Sequence, residues 1–111
     1  MTLLLSVTFV NAQVKNKTIE TVKINGNCGM CKKTIETAAN IDKVAKVNWD
    51  TQTKTATVSY DKNKTTLEVI LKRIADAGYD NEKFVAPDEV YNNLHGCCQY
   101  DREKFAVITT N

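Results

Sequence analysis

Asn25-Gly26-Asn27-Cys28-Gly29-Met30-Cys31-Lys32-Lys33 decides the fold through what lies on either side of it. Upstream, Thr18-Ile19-Glu20-Thr21-Val22-Lys23-Ile24 alternates polar and apolar residues, a half-buried strand with Ile19, Val22 and Ile24 as its inner face. Downstream, Cys31 to Ala39 sets Ile35, Ala38 and Ala39 at helical spacing, with Asn40 as the stop. The quoted stretch is rich in Gly and Asn and reads as a loop. Two cysteines, three residues apart, therefore sit between a strand and a helix N-terminus. Unpaired N–H groups and partial positive charge at such a terminus favour thiolate over thiol. Lys32 and Lys33 add positive charge, and Gly26 and Gly29 are expected to let the loop adjust to a ligand.

Further along, Val44, Val47 and Trp49 mark a second strand, Asp50 to Thr53 a turn, and Thr55 to Tyr60 a third strand rich in β-branched residues. Thr65 or Thr66 can cap a second helix whose stripe is Leu67, Ile70, Leu71 and Ile74, with Glu68 at its positive end. Ala77-Gly78 ends it, Gly78 serving as the C′ residue. Asn81 to Ala86 reads as a last short strand. The expectation is an α+β fold over residues 17–86 in the order β-α-β-β-α-β. This is a ferredoxin-like sandwich: an antiparallel four-stranded sheet with two helices on one face. Residues 87–111 form an extension. Pro87 suits a first helical turn and Val90, Tyr91 and Leu94 recur at helical spacing, so a short C-terminal helix is expected. His95-Gly96-Cys97-Cys98-Gln99-Tyr100 breaks it, and the strand-like Phe105 to Ile108 finds no place in this scheme.

Thiolates are soft ligands that select Cu(I), Zn(II) and other thiophilic ions. Two cysteines cannot complete a tetrahedral zinc site. Two-coordinate sulfur suits Cu(I) or Hg(II) and leaves room for a third sulfur to attack, which permits transfer without release. The same Cys-x-x-Cys spacing also serves thiol–disulfide oxidoreductases, and a metal-free disulfide module is a third reading. The oxidoreductase fold would need a longer mixed architecture, and the one proline, Pro87, lies past the last expected strand.

The order strand, Asn-Gly-Asn-Cys-Gly-Met-Cys-Lys-Lys, helix, hairpin, helix, Ala75-Asp76-Ala77-Gly78-Tyr79, strand resembles the heavy-metal-associated domain. That family includes copper chaperones, domains of copper-transporting ATPases and a periplasmic mercury-binding protein. The resemblance implies metal held by Cys28 and Cys31, with Tyr79 close to the metal loop. Family members usually carry Met two residues before the first cysteine, where it tethers the loop. Gly26 stands there in this chain, and Met30 falls between the cysteines. Met30 is read as a loop-packing neighbour of the metal rather than a ligand.

Cys97 and Cys98, with His95, lie outside the usual domain. Adjacent cysteines bond to each other only with strain. A helix from Pro87 to Leu94 rises roughly 12 Å, at about 1.5 Å per residue, nearly enough to bring the chain back along the last strand. Cys97 and Cys98 could then close over Cys28 and Cys31 and supply further ligands, with the sole histidine, His95, as an additional candidate, or pair in disulfides.

The ends and the charge bound the rest. Leu3 to Val10 is an apolar run followed by Asn11-Ala12-Gln13, so residues 1–12 read as a signal peptide cut after Ala12, or else as a buried N-terminal strand. No Lys or Arg precedes the run. It falls short of the about 20 apolar residues a membrane span needs, and no cysteine at the cut offers a lipid anchor. The mature chain is then periplasmic or secreted, where a Cys28–Cys31 disulfide would compete with metal. Net charge is +2 over 111 residues, with no basic stripe for nucleic acid. No Ser/His/Asp set, paired carboxylates or phosphate loop stands out, so no enzyme is expected. The expected partners are a metal ion, Cu(I) first and Zn(II) or Hg(II) after it, and a metal efflux transporter or copper-requiring protein. The chain is expected as a monomer or a metal-bridged dimer.

Overall fold

Alternation in three segments builds one sheet. The computed structural model describes residues 16–102, so the expected signal peptide, residues 1–12, and the strand-like 105–108 lie outside the described residues. β1 (Lys17–Lys23), β2 (Ala45–Trp49) and β3 (Thr55–Asp61) pair antiparallel in the order β1-β3-β2. Register sets Val22 beside Ala56, and Val47 beside Val58. Side chains alternate faces along a strand, so Val22 and Ile24 share a face that Ile19 cannot. Val22 and Ile24 are buried, whereas Ile19 points out, 58% exposed. The expected inner triplet is corrected to a pair by parity alone. The inward place near Ile19 goes to Glu20, whose carboxylate accepts from the Tyr60 hydroxyl at 2.6 Å.

Helix α1 (Gly29–Ala39) and helix α2 (Leu67–Asp76) cover the same face of the sheet. Cys31, Ile35 and Ala39 are the buried stripe of α1; Leu67, Ile70, Leu71 and Ile74 are that of α2. These residues form one core with Ala45, Val47, Trp49, Ala56 and Val58 from the sheet. Thr66 caps α2 by accepting from the Val69 N–H at 3.2 Å, and Gly78 follows its end at φ +114°. That backbone region favours glycine, and a Cβ there would also lie 2.9 Å from Leu94.

The expected fourth strand does not form among the described residues. From Asn81 to Ala86 the chain contributes one isolated bridge, Asn81 to Ile24. Asn81 accounts for the difference. Its buried side-chain oxygen accepts from the N–H groups of Lys83 and Phe84, both at 3.1 Å, and curls the chain locally. The free edge of β1 takes a side chain instead of a strand: the Lys23 N–H donates to the Glu82 carboxylate at 2.8 Å.

Beyond Pro87, helix α3 (Asp88–Asn92) and a 3-10 turn (Gly96–Cys98) form a strap that turns back to the cysteine loop. Its anchor is Tyr100, 3% exposed. The Tyr100 hydroxyl donates to the Gly78 carbonyl at 2.6 Å and accepts from the Asp80 N–H at 2.9 Å. Its ring stacks on Tyr79 and meets Tyr91 edge-on. Arg102 closes the strap with two hydrogen bonds to the buried Asp80 carboxylate, at 2.7 and 3.0 Å.

Candidate metal centre

Cys28 ends the loop and Gly29 starts α1, so the first helical turn lies beside the Cys28 sulfur. The backbone N–H of Cys31, then the Cys97 thiol, favour its thiolate and lower its pKa to about 6. Cys31 is fully buried on the inner face of α1. Its sulfur lies 3.6 Å from that of Cys28 and accepts from the Asn27 N–H at 3.3 Å.

A packing exchange fixes this loop. The Trp49 indole N–H donates to the Ile24 carbonyl at 3.0 Å, and its ring lies where a Cβ at Gly26 would stand, 3.0 Å from two ring carbons. Gly26 is thus a close-approach glycine that seats the loop against Trp49. The expectation that it loosens the loop is corrected by that contact. Gly29 has open space around it.

The strap brings the second cysteine pair to the first. The Cys97 sulfur lies 3.2 Å from that of Cys28. The Cys98 sulfur lies 2.7 Å from that of Cys31 and 3.9 Å from that of Cys28. All four cysteines are free. The contact with Cys28 raises the pKa of Cys97. Burial, then the contact with Cys31, pushes the Cys98 thiol well above the ordinary thiol range. Asn27 ties loop to strap, its side-chain amide donating to the Cys97 carbonyl at 3.1 Å.

The matching sequence spans much of this architecture: a family model for the heavy-metal-associated domain covers residues 21–80. The chain belongs to the heavy-metal-associated domain family. Among solved structures, the CopZ metallochaperone is similar at 31% identity, covering 59% of this chain and 100% of CopZ with a TM-score of 0.54. Oxidized MerP from Ralstonia metallidurans CH34 is similar at 29% identity, covering 60% of this chain and 94% of MerP with a TM-score of 0.55. No curated protein matches the chain significantly.

Within this heavy-metal-associated domain, the other expected site residues divide. Tyr79 is buried beside the cluster; burial, then hydrogen bonding to Cys98, raises its phenol above its usual range. Met30 does not pack inward: it is 45% exposed, its sulfur 3.8 Å from that of Cys97. Its place on the outer side of the first helical turn explains this, since the inner side carries Cys31. His95 is exposed and starts the 3-10 turn, where its backbone carbonyl accepts from the Cys98 N–H at 2.8 Å. Among the described residues, the sulfurs of Cys28, Cys97 and Cys98 all lie within 4.8 Å of one another, a grouping that includes neither Cys31 nor His95. Sequence reasoning missed Trp49 as the loop's seat and Tyr100, Asp80 and Arg102 as the strap's anchors. The one local signal was the glycine at position 26 where the family usually has Met.

Proposed function

We propose that this heavy-metal-associated protein binds Cu(I) between Cys28 and Cys31 and passes it on by thiolate exchange. The observation that carries the reading is the pair of sulfurs 3.6 Å apart at the N-terminus of α1, where the backbone N–H of Cys31 lowers the pKa of Cys28. A monovalent d¹⁰ ion accepts two soft sulfurs and leaves space for an incoming third, so the metal can move between proteins without entering water as a free ion. Likeness to the CopZ metallochaperone supports the copper reading, while likeness to MerP keeps Hg(II) within reach of the same pair.

In this reading the chain is a binding protein and not an enzyme. It is exported through residues 1–12 and serves a metal efflux transporter or a copper-requiring protein outside the cytoplasm. No helix among the described residues is long and apolar enough to cross a membrane. An oxidising compartment would convert the pair to a disulfide, so metal must arrive first or a reductant must keep the thiols available.

Anaerobic purification followed by metal analysis tests this. Copper that co-purifies with the wild-type chain and is absent from Cys28→Ser supports the proposal. A chain without copper that reduces insulin disulfides through Cys28 would make it an oxidoreductase and end the proposal.

A further inference from the structure

We propose that Cys97 and Cys98 are metal ligands in cis, so that the chain holds one divalent thiophilic cation, Zn(II) or Cd(II), among four sulfurs. This rests on the reading of Cys28 and Cys31 as ligands and adds a second pair from outside the family domain.

Part of the spacing is already in place. A tetrahedral zinc–thiolate site with Zn–S of about 2.3 Å has sulfur–sulfur edges of about 3.8 Å. The Cys28–Cys31 and Cys28–Cys98 separations, 3.6 and 3.9 Å, match such an edge, while Cys31 lies outside the 4.8 Å grouping of Cys28, Cys97 and Cys98, so Cys97 must move toward Cys31 to close the site. The Cys28–Cys97 and Cys31–Cys98 pairs, at 3.2 and 2.7 Å, are shorter than such an edge, and each opens to it as the ion takes its place between the sulfurs. A dication in the loop alone would have only two of its four positions filled by sulfur. The strap supplies the other two.

The surroundings suit the charge. Four thiolates around a dication leave excess negative charge, which donors to sulfur offset. The Asn27 N–H reaches Cys31, and the first turn of α1 lies beside Cys28. Cys31 and Cys98 are buried while Cys97 is exposed and Cys28 half-buried, so an ion enters from the Cys28–Cys97 side. Tyr100 and Arg102 lock the strap in the position that makes this possible.

The arrangement has a consequence for transfer. Cys97 and Cys98 stand where an acceptor's thiols would attack. A two-coordinate Cu(I) leaves by exchange once the strap lifts, whereas a dication bound by all four sulfurs is retained.

The test uses the reduced full-length chain loaded anaerobically with Cd(II) and read by X-ray absorption and metal-to-protein ratio. The expected result is four sulfurs per cadmium and one cadmium per chain. Cys97→Ser, an exposed position that leaves the core untouched, should give three sulfurs and lower cadmium affinity on the order of tenfold or more. Fewer than four sulfurs in the wild type, an unchanged count in Cys97→Ser, or one cadmium shared by two chains would overturn the proposal. If the sulfur count fails while Cu(I) uptake persists, the four-sulfur site alone is lost. A wild-type chain that takes up neither ion overturns the two-sulfur reading beneath it.

Discussion

The cysteine loop and the strap that covers it are held in place by different physics. The loop is seated by the core: Cys31 is buried on α1, and Gly26 lies against the Trp49 ring. The strap has no helix long enough to bring a core of its own, and α3 buries none of its residues fully. It is held by Cys98 and Tyr100, which insert into the main core, and by directional contacts around Tyr100 and Arg102, made to carbonyls, amides and a carboxylate near the end of α2. The difference teaches that the two pairs of sulfurs are separable. Damage to the core should disturb both pairs, and damage to the anchors should release only Cys97 and Cys98.

The largest effect is expected from Trp49→Ala, which removes a fully buried ring and the seat of the loop together. Emptying such a site costs about 3–5 kcal/mol. Urea unfolding should show that loss, and an effect below 1 kcal/mol, on the order of a surface change, would break the claim that the core seats the loop. Gly26→Ala probes the same contact from the other side. Its added methyl meets ring carbons at 3.0 Å, and overpacking of this kind costs about 1–3 kcal/mol.

Tyr100→Phe sharpens the comparison. It leaves the Gly78 carbonyl and the Asp80 N–H without their partner, at a cost of about 1–3 kcal/mol. Hydrogen exchange should quicken across residues 87–102 while α1 and the sheet keep their protection. Equal loosening of both regions would show that strap and core form one unit.

The smallest effect is a matter of pH. A thiol pKa lowered to about 6 means Cys28 is mostly thiolate above that pH and loses its charge as pH falls through it. Alkylation of the reduced, metal-free chain should therefore rise with a midpoint near pH 6, well below the about 8.5 of an ordinary thiol. A midpoint at the ordinary value would mean that the helix terminus does not act on this sulfur.

Legibility followed the range of the interactions. Periodicity exposed α2, β-branched content exposed β3, and Val47 and Trp49 marked β2, although Val44 lies in the turn before it; local chemistry exposed the Thr66 cap and the Gly78 stop, because each depends on neighbours in sequence. The loop cysteines were legible for the same reason, lying between a strand pattern and a helix pattern. Ile19 was misplaced through counting apolar residues without their parity. The last strand was misjudged because Asn81 prefers to bond its own backbone, a choice that a run of six residues does not reveal. Trp49 against Gly26 and Tyr100 against Gly78 join residues 23 and 22 positions apart, and no periodicity encodes such pairs. The return of Cys97 and Cys98 to Cys28 and Cys31 was legible as a matter of reach; that Tyr100 and Arg102 hold them there was not.

The most direct test of the central claim is an anaerobic titration of the reduced chain with Cu(I) against a competing chelator, comparing wild type with Cys28→Ser. The two sulfurs at the start of α1 should give the wild-type chain tight binding of one Cu(I), and the single oxygen-for-sulfur change should weaken it by more than the roughly 10–100-fold that loss of an outer-shell partner costs. Equal Cu(I) affinity in the two proteins would contradict the account.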